Sequence, residues 1–133
     1  MGKVFNSCLK LDRMVFDRIL FERTGFSSES DFQFKLESSV YKQEHNELYR
    51  VTLVLFGEKQ DEYKVEISIT GFFYFESDET VSTKIKDSLI SKNTISILMP
   101  YLRSELSLLT AQPEVESIVL QPFNVNAMMN ENN

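Results

Sequence analysis

The sequence predicts an α+β fold, a four-stranded antiparallel sheet backed by helices. Three observations predict it. Apolar and polar residues alternate along three segments between residues 31 and 76, the period of two expected of half-buried strands. Short polar connections separate these segments, which suits antiparallel neighbours. From residue 80 to residue 112 the apolar spacing changes to three and four, the period of a helix. With 133 residues, 42% of them hydrophobic, the chain is expected to form one domain over 1–133 with its own core.

The elements follow in order. "MVFDRILFER" (14–23) is rich in strand-forming residues, yet Val15, Ile19 and Leu20 also fit one face of a helix, so periodicity leaves both readings open. Residues 24–30, with Gly25 and three serines, read as a loop. "DFQFKLESSVYKQ" (31–43) places Phe32, Phe34 and Leu36 on one side, and "HNE" (45–47) makes a turn. "LYRVTLVLFG" (48–57) aligns Tyr49, Val51, Leu53 and Leu55, and "EKQDE" (58–62) is a second turn. "YKVEISITGFFYFE" (63–76) aligns Val65, Ile67, Ile69, Phe73 and Phe75. The opposite faces carry Glu66, Ser68 and Thr70, then Phe72 and Tyr74, on the last strand, and Arg50 and Thr52, then Val54 and Phe56, on the one before it, a polar middle with apolar ends. A fully solvated face would not carry those aromatics.

The helical part begins with "TVSTKIKDSLISK" (80–92), with Thr80 or Ser82 as cap. A second helix is expected from Asn93 or Thr94. Its stripe is Ile95, Leu98, Met99, Leu102, Leu106 and Leu109, and Ile97, Tyr101 and Leu108 form a second row beside it. A helix apolar over that much of its circumference is buried on two sides. Pro100 cannot donate to Ser96 and should kink the helix, and Pro113 ends it. "ESIVLQPFNVNAMM" (116–129) reads as extended, and 130–133 as a solvated tail. One copy would leave the second row wet, and self-association is the simplest remedy.

Composition excludes several functions. The 20 acidic and 14 basic residues give a net charge of −6, which argues against nucleic acid because phosphate binding needs a basic footprint. No run approaches the roughly 18 apolar residues of a membrane span. The N-terminus shows no secretory pattern, and Asn6 stands where myristoylation wants Ser or Thr. Cys8 is the only cysteine, so no internal disulfide can form. These features predict a cytoplasmic protein. His45 is the only histidine and reads as turn surface. One His and one Cys make no typical zinc site, and four glycines outside any phosphate-cradling pattern make no nucleotide loop. Glu37, Glu62, Glu66 and Glu76 read as the solvated edge of a sheet. The expectation is a binding protein rather than an enzyme, with no metal or cofactor.

Four blocks together resemble the SecB family of export chaperones. "FDRILFER" is similar to its first strand, which ends in an aromatic–Glu pair, here Phe21 and Glu22. "YKVEISITGFF" is similar to its fourth strand through Val65, Glu66, Ile67, Gly71, Phe72 and Phe73. "ILMPYLRSELSLLTAQ" resembles its Leu-Phe-Pro-Tyr-Ala-Arg helix entry, and "VLQPFNVNAMM" its C-terminal signature through Leu120, Pro122, Asn124, Ala127 and Met128. The resemblance spans residues 14–129. It implies that 14–23 is a strand, and a SecB-like fold with a long Pro-kinked helix plus shorter helices. It also implies a homotetramer, a dimer of dimers, with Ile97, Tyr101 and Leu108 at the subunit interface.

The implied activity is that of an ATP-independent holdase binding unfolded polypeptides in hydrophobic grooves, for protein export and translocation. The residues assigned to clients are Phe16, Leu20, Tyr41, Phe72, Tyr74 and Phe123. Glu22 and Glu66 match the acidic surface on which the family docks the motor SecA. Here Arg18 replaces a further acid and Lys64 a leucine, changes that weaken that surface. The alternative is a SecB-like scaffold, or a toxin–antitoxin chaperone dedicated to one partner such as an antitoxin.

Overall fold

The computed structural model describes residues 9–43, 48–75 and 83–121. Four strands form one sheet: β1 Leu9–Arg23, β2 Phe32–Lys42, β3 Tyr49–Lys59 and β4 Tyr63–Phe75, followed by α1, Thr83–Thr110. The order across the sheet is β1-β4-β3-β2, with every pair antiparallel. β1 therefore pairs with the last strand and not with its sequence neighbour, and 24–31 is a crossing loop rather than a hairpin.

β1 begins five residues earlier than its sequence pattern indicates. Its pairing with β4 shifts register between Leu11 and Arg13 and again between Phe16 and Arg18. Each shift adds a residue to one strand, so strict alternation fails twice. Across the two bulges Leu9, Leu11, Met14, Phe16, Ile19 and Phe21 stay opposite the inward residues of β4. This is why the segment reads as both strand and helix in sequence. β3 also runs on to Lys59, which reduces the expected turn of 58–62 to a tight one closed by Glu62 N–H on the Lys59 carbonyl at 3.0 Å. Asp61 takes φ 66° in that turn.

The two expected helices are one. α1 runs through Asn93 and Thr94 without a break over 28 residues. Thr94 does not cap a new helix: its buried hydroxyl donates to the Ile90 carbonyl one turn back, a bond open to Thr inside a continuous helix. Pro100 lies inside α1. Pro100 and Ser96 are both exposed, so water can serve the carbonyl that Pro100 leaves unserved. α1 has no acidic residue in its first turn and no basic residue in its last, so burial of its stripe rather than its termini must hold it. Thr80, Ser82, the 45–47 turn with His45, Cys8 and Glu76 lie outside the described residues.

The helix stripe packs on one face of the sheet. Leu98, Leu102 and Leu106 are fully buried against Val51, Leu53, Leu55, Ile67 and Ile69. Gly71 makes the approach possible: a Cβ there would come 2.9 Å from Leu98 Cδ2 and 2.7 Å from the Phe73 ring, too close for ordinary packing. After α1 the chain turns back along it. The Ile118 N–H donates to Thr110 Oγ1 at 2.9 Å, and Ser107 Oγ donates to the Ile118 carbonyl at 3.1 Å.

Glu62 overturns the solvated-edge expectation. It is 2% exposed. Its carboxylate accepts from Lys59 Nζ at 3.1 Å and from the Ser28 N–H at 3.1 Å. Its carbonyl accepts from the N–H groups of Thr24 and Gly25. One residue of the β3–β4 turn thus anchors the β1–β2 loop, and a Cβ at Gly25 would overlap the Asp61 carbonyl oxygen.

Tyr63 beside it is fully buried, stacked on Phe21 at 4.8 Å, and among the described residues its hydroxyl has no hydrogen-bond partner. Burial, then the Glu62 and Glu116 carboxylates, push its ionisation above the ordinary 10.0. The unfolded chain would ionise this phenol first. Its contribution is therefore intact below pH about 10 and lost as pH rises toward the folded value. Titration of the phenolate absorbance should show one of the five tyrosines ionising later than the rest and together with unfolding. Five tyrosines titrating as one group would refute this.

Candidate functional site

α1 lies over β4, β3 and the margin of β2. The β1 share of that face is left open in its middle, where Phe16 is 36% and Ile19 45% exposed. On the far side of α1 from the sheet, Tyr101 and Leu108 project into solvent at 43% and 68% exposure, while Ile97 is half-buried. The second apolar row of the helix is thus wet in one copy, with the primary stripe buried. Among the described residues β1 is also a sheet edge, a 15-residue strand. An apolar edge of this kind invites another chain.

The opposite face of the sheet is built in rows by the register. At one end Arg13, Phe72, Arg50 and Tyr41 stand side by side on β1, β4, β3 and β2. Next come Val15, Thr70, Thr52 and Ser39. In that row Thr70 Oγ1 donates to Asp17, so Thr52, 2.8 Å away, must donate to Thr70. At the other end Leu20, Glu66, Phe56 and Lys35 form a row, and Glu22, Lys64, Glu58 and Gln33 the last. An open cavity of about 720 Å³ lies over this end, lined by Leu20, Glu22, Phe56, Lys64 and Glu66 with Ser30 and Asp31 of the crossing loop. The middle is mainly polar and the aromatics stand toward the ends, as the alternation indicates, but both ends also carry charges and the last row is wholly polar.

The six residues assigned to clients do not share one surface. Leu20, Tyr41, Phe72 and Tyr74 lie on the face away from α1, with Leu20 at the acidic end and the other three at the arginine end. Phe16, opposite Ile69, faces the helix side. Phe123 lies outside the described residues. Phe73 is fully buried, and Phe75 packs edge-on against Tyr49 at 5.8 Å, so both belong to the core. Glu22 and Glu66 are neighbours at the acidic end. Glu66 pairs with Arg18 at 3.3 Å and Glu22 stands opposite Lys64, so each acid faces a base. Sequence reasoning passed over Val15 and Ile19, both about half exposed, because the bulges hide their faces. It also passed over Arg13 and Arg50, whose place beside the aromatics depends on register between distant strands. No described helix is long and apolar enough to cross a membrane.

No family model matches the chain. An uncharacterized protein of Methanocaldococcus jannaschii is 32% identical over 90 residues, 66% of this chain, and the match spans 57% of that relative's length. Among solved structures, the SecB-like chaperone of Mycobacterium tuberculosis, determined with a ChAD peptide from the HigA1 antitoxin, superposes with a TM-score of 0.73. That match covers 90% of this chain and 91% of the other at 13% identity. A likeness of that extent at so low an identity rests on the shape of the backbone, and the chain has a SecB-like fold.

Proposed function

We propose that this protein is a polypeptide-binding chaperone that holds non-native chains without nucleotide and works as a homotetramer in the cytoplasm. The observation that carries the reading is apolar surface left over after the core is complete. Phe16 and Ile19 on β1, and Tyr101 and Leu108 on α1, are large and exposed while Leu98, Leu102 and Leu106 are already fully buried. Monomeric soluble proteins rarely keep such surface unless it serves binding. The helix row suits a second copy, because burying it would complete the two-sided helix. The sheet residues suit clients, because a broad apolar surface tolerates many sequences where a shaped pocket would not.

A partner-dedicated chaperone is the second reading. The solved SecB-like chaperone carries an antitoxin peptide, and the paired charges around Glu22 and Glu66 leave little free acid to dock an export motor such as SecA. A single protein co-purifying from native cells would select this reading, and a broad set of unfolded proteins the general one.

The test is aggregation of a chemically denatured client, followed by light scattering with no nucleotide present. Suppression at near-stoichiometric ratio is expected. Failure with several unrelated clients would remove the chaperone reading. Phe72→Ser with Tyr74→Ser should weaken client binding with the oligomer intact. Tyr101→Glu with Leu108→Glu should instead lower the mass measured by light scattering, since a charge in a buried contact cannot be solvated. If the first pair breaks the oligomer, those residues belong to the subunit contact.

A further inference from the structure

The two ends of the sheet face away from α1 differ in how their charges are met. At one end Glu22, Glu58 and Glu66 stand among Lys64, Lys35 and Arg18, and the other end carries the row Arg13, Phe72, Arg50, Tyr41. The Arg13 guanidinium sits 4.7 Å from the centre of the Phe72 ring, and that of Arg50 4.8 Å from the centre of Tyr41. Both arginines are exposed, and Tyr41 is 55% exposed. Among the described residues, no carboxylate forms a salt bridge with either arginine. Of the two acids at the β1 bulges, Asp17 accepts from Thr70, and Asp12, the chain neighbour of Arg13, is exposed. A guanidinium resting on a ring keeps its N–H edge turned outward and its rotamers restricted, which prepares it to take a carboxylate in two parallel bonds.

We propose that this row selects, among the polypeptide segments the protein holds, those in which carboxylates flank apolar side chains. This rests on the polypeptide-binding reading above and names the chemistry of its client. Arg13 and Arg50 take the carboxylates, and Phe72, which stands between them in the row, receives the apolar group, with Tyr41 beyond Arg50. The two arginines stand on strands either side of β4, roughly 10 Å apart at the usual strand spacing, which an extended segment bridges with acids four residues apart and an apolar residue midway on the same side. The net charge of −6 does not forbid an acidic ligand, because screening limits charge effects to about 8 Å at physiological salt. Nucleic acid fits less well, because two exposed arginines are a small basic footprint in a chain of net charge −6.

The test uses three labelled extended peptides with identical Phe and Leu content, carrying two Glu, two Gln or two Lys four residues apart with an apolar residue midway. Their affinities for the full chain are read by fluorescence anisotropy in 0.15 M and 0.5 M salt. The Glu peptide should bind about fivefold tighter than the Gln peptide, as expected for roughly one exposed charge pair gained, and this margin should shrink at the higher salt. In Arg13→Gln/Arg50→Gln the Glu and Gln peptides should bind alike. Arg13→Lys/Arg50→Lys, which keeps the charge and loses the fork, should fall between and guards against misfolding in the first variant. Equal binding of Glu and Gln peptides, or a preference that survives the Gln variant, overturns the proposal and leaves the chaperone reading standing. No binding of any peptide overturns both. A change of oligomer mass in the Gln variant makes the row a contact between copies and overturns the proposal.

Discussion

Leu98→Ala is expected to lower the unfolding free energy by about 2–5 kcal/mol, the range for a buried Leu truncated in a packed core. Leu98 is fully buried. It sits over Gly71 in a space that a Cβ there would close, and the neighbouring side chains rest on a backbone surface that cannot rise to fill a void. The loss therefore combines transfer and cavity contributions. The informative control is Leu108→Ala on the same helix. Leu108 is 68% exposed, so the control should cost well under 1 kcal/mol of subunit stability, with any larger effect appearing as weaker assembly. Denaturant unfolding at fixed protein concentration separates the two, because assembly makes the midpoint depend on concentration. Equal losses for Leu98 and Leu108 at all concentrations would mean that the buried and wet sides of α1 have been misidentified.

Lys59→Met is the second large effect, expected to cost about 3 kcal/mol. The Glu62 side chain is 3% exposed and that of Lys59 14%. Removing the ammonium leaves a buried carboxylate that, among the described residues, only the Ser28 N–H answers. An uncompensated buried charge of this kind is strongly destabilising, and the methionine stem restores only the apolar contact. The double variant Lys59→Met/Glu62→Gln removes the charge and keeps an acceptor for Ser28. It should recover much of the loss, giving a coupling energy of about 1–3 kcal/mol in a double-mutant cycle. Because Glu62 holds the 24–31 loop, the single variant should also raise hydrogen exchange at Thr24, Gly25 and Ser28. Additive losses would show that the pair is a surface contact of little weight.

Much of this was legible in the residues. Strict alternation in β2, β3 and β4 gave the correct buried faces, since Val51, Leu53, Leu55, Ile67 and Ile69 are all fully buried. The two-sided apolar helix was also visible: its stripe from Ile95 to Leu106 is buried and its second row is partly or fully wet. β1 was ambiguous because two bulges break its period, and a bulge has no local signature beyond that break. The helix was divided at Asn93 because a polar pair there looks like a cap, whereas Thr94 is served by a carbonyl within the helix. Glu62 looked solvated because a turn carboxylate ordinarily is, and only the crossing loop folding over it makes it buried.

What the sequence determined by itself was the set of elements and the inward side of most of them. Side-chain direction alternates in a strand and recurs every three to four residues in a helix whatever lies elsewhere in the chain. Tertiary structure alone decided that β1 closes on β4, that Glu62 is enclosed, and that Arg13, Phe72, Arg50 and Tyr41 form a row. Those facts depend on register between strands far apart in sequence, and register follows from the packing of the whole sheet rather than from any local pattern.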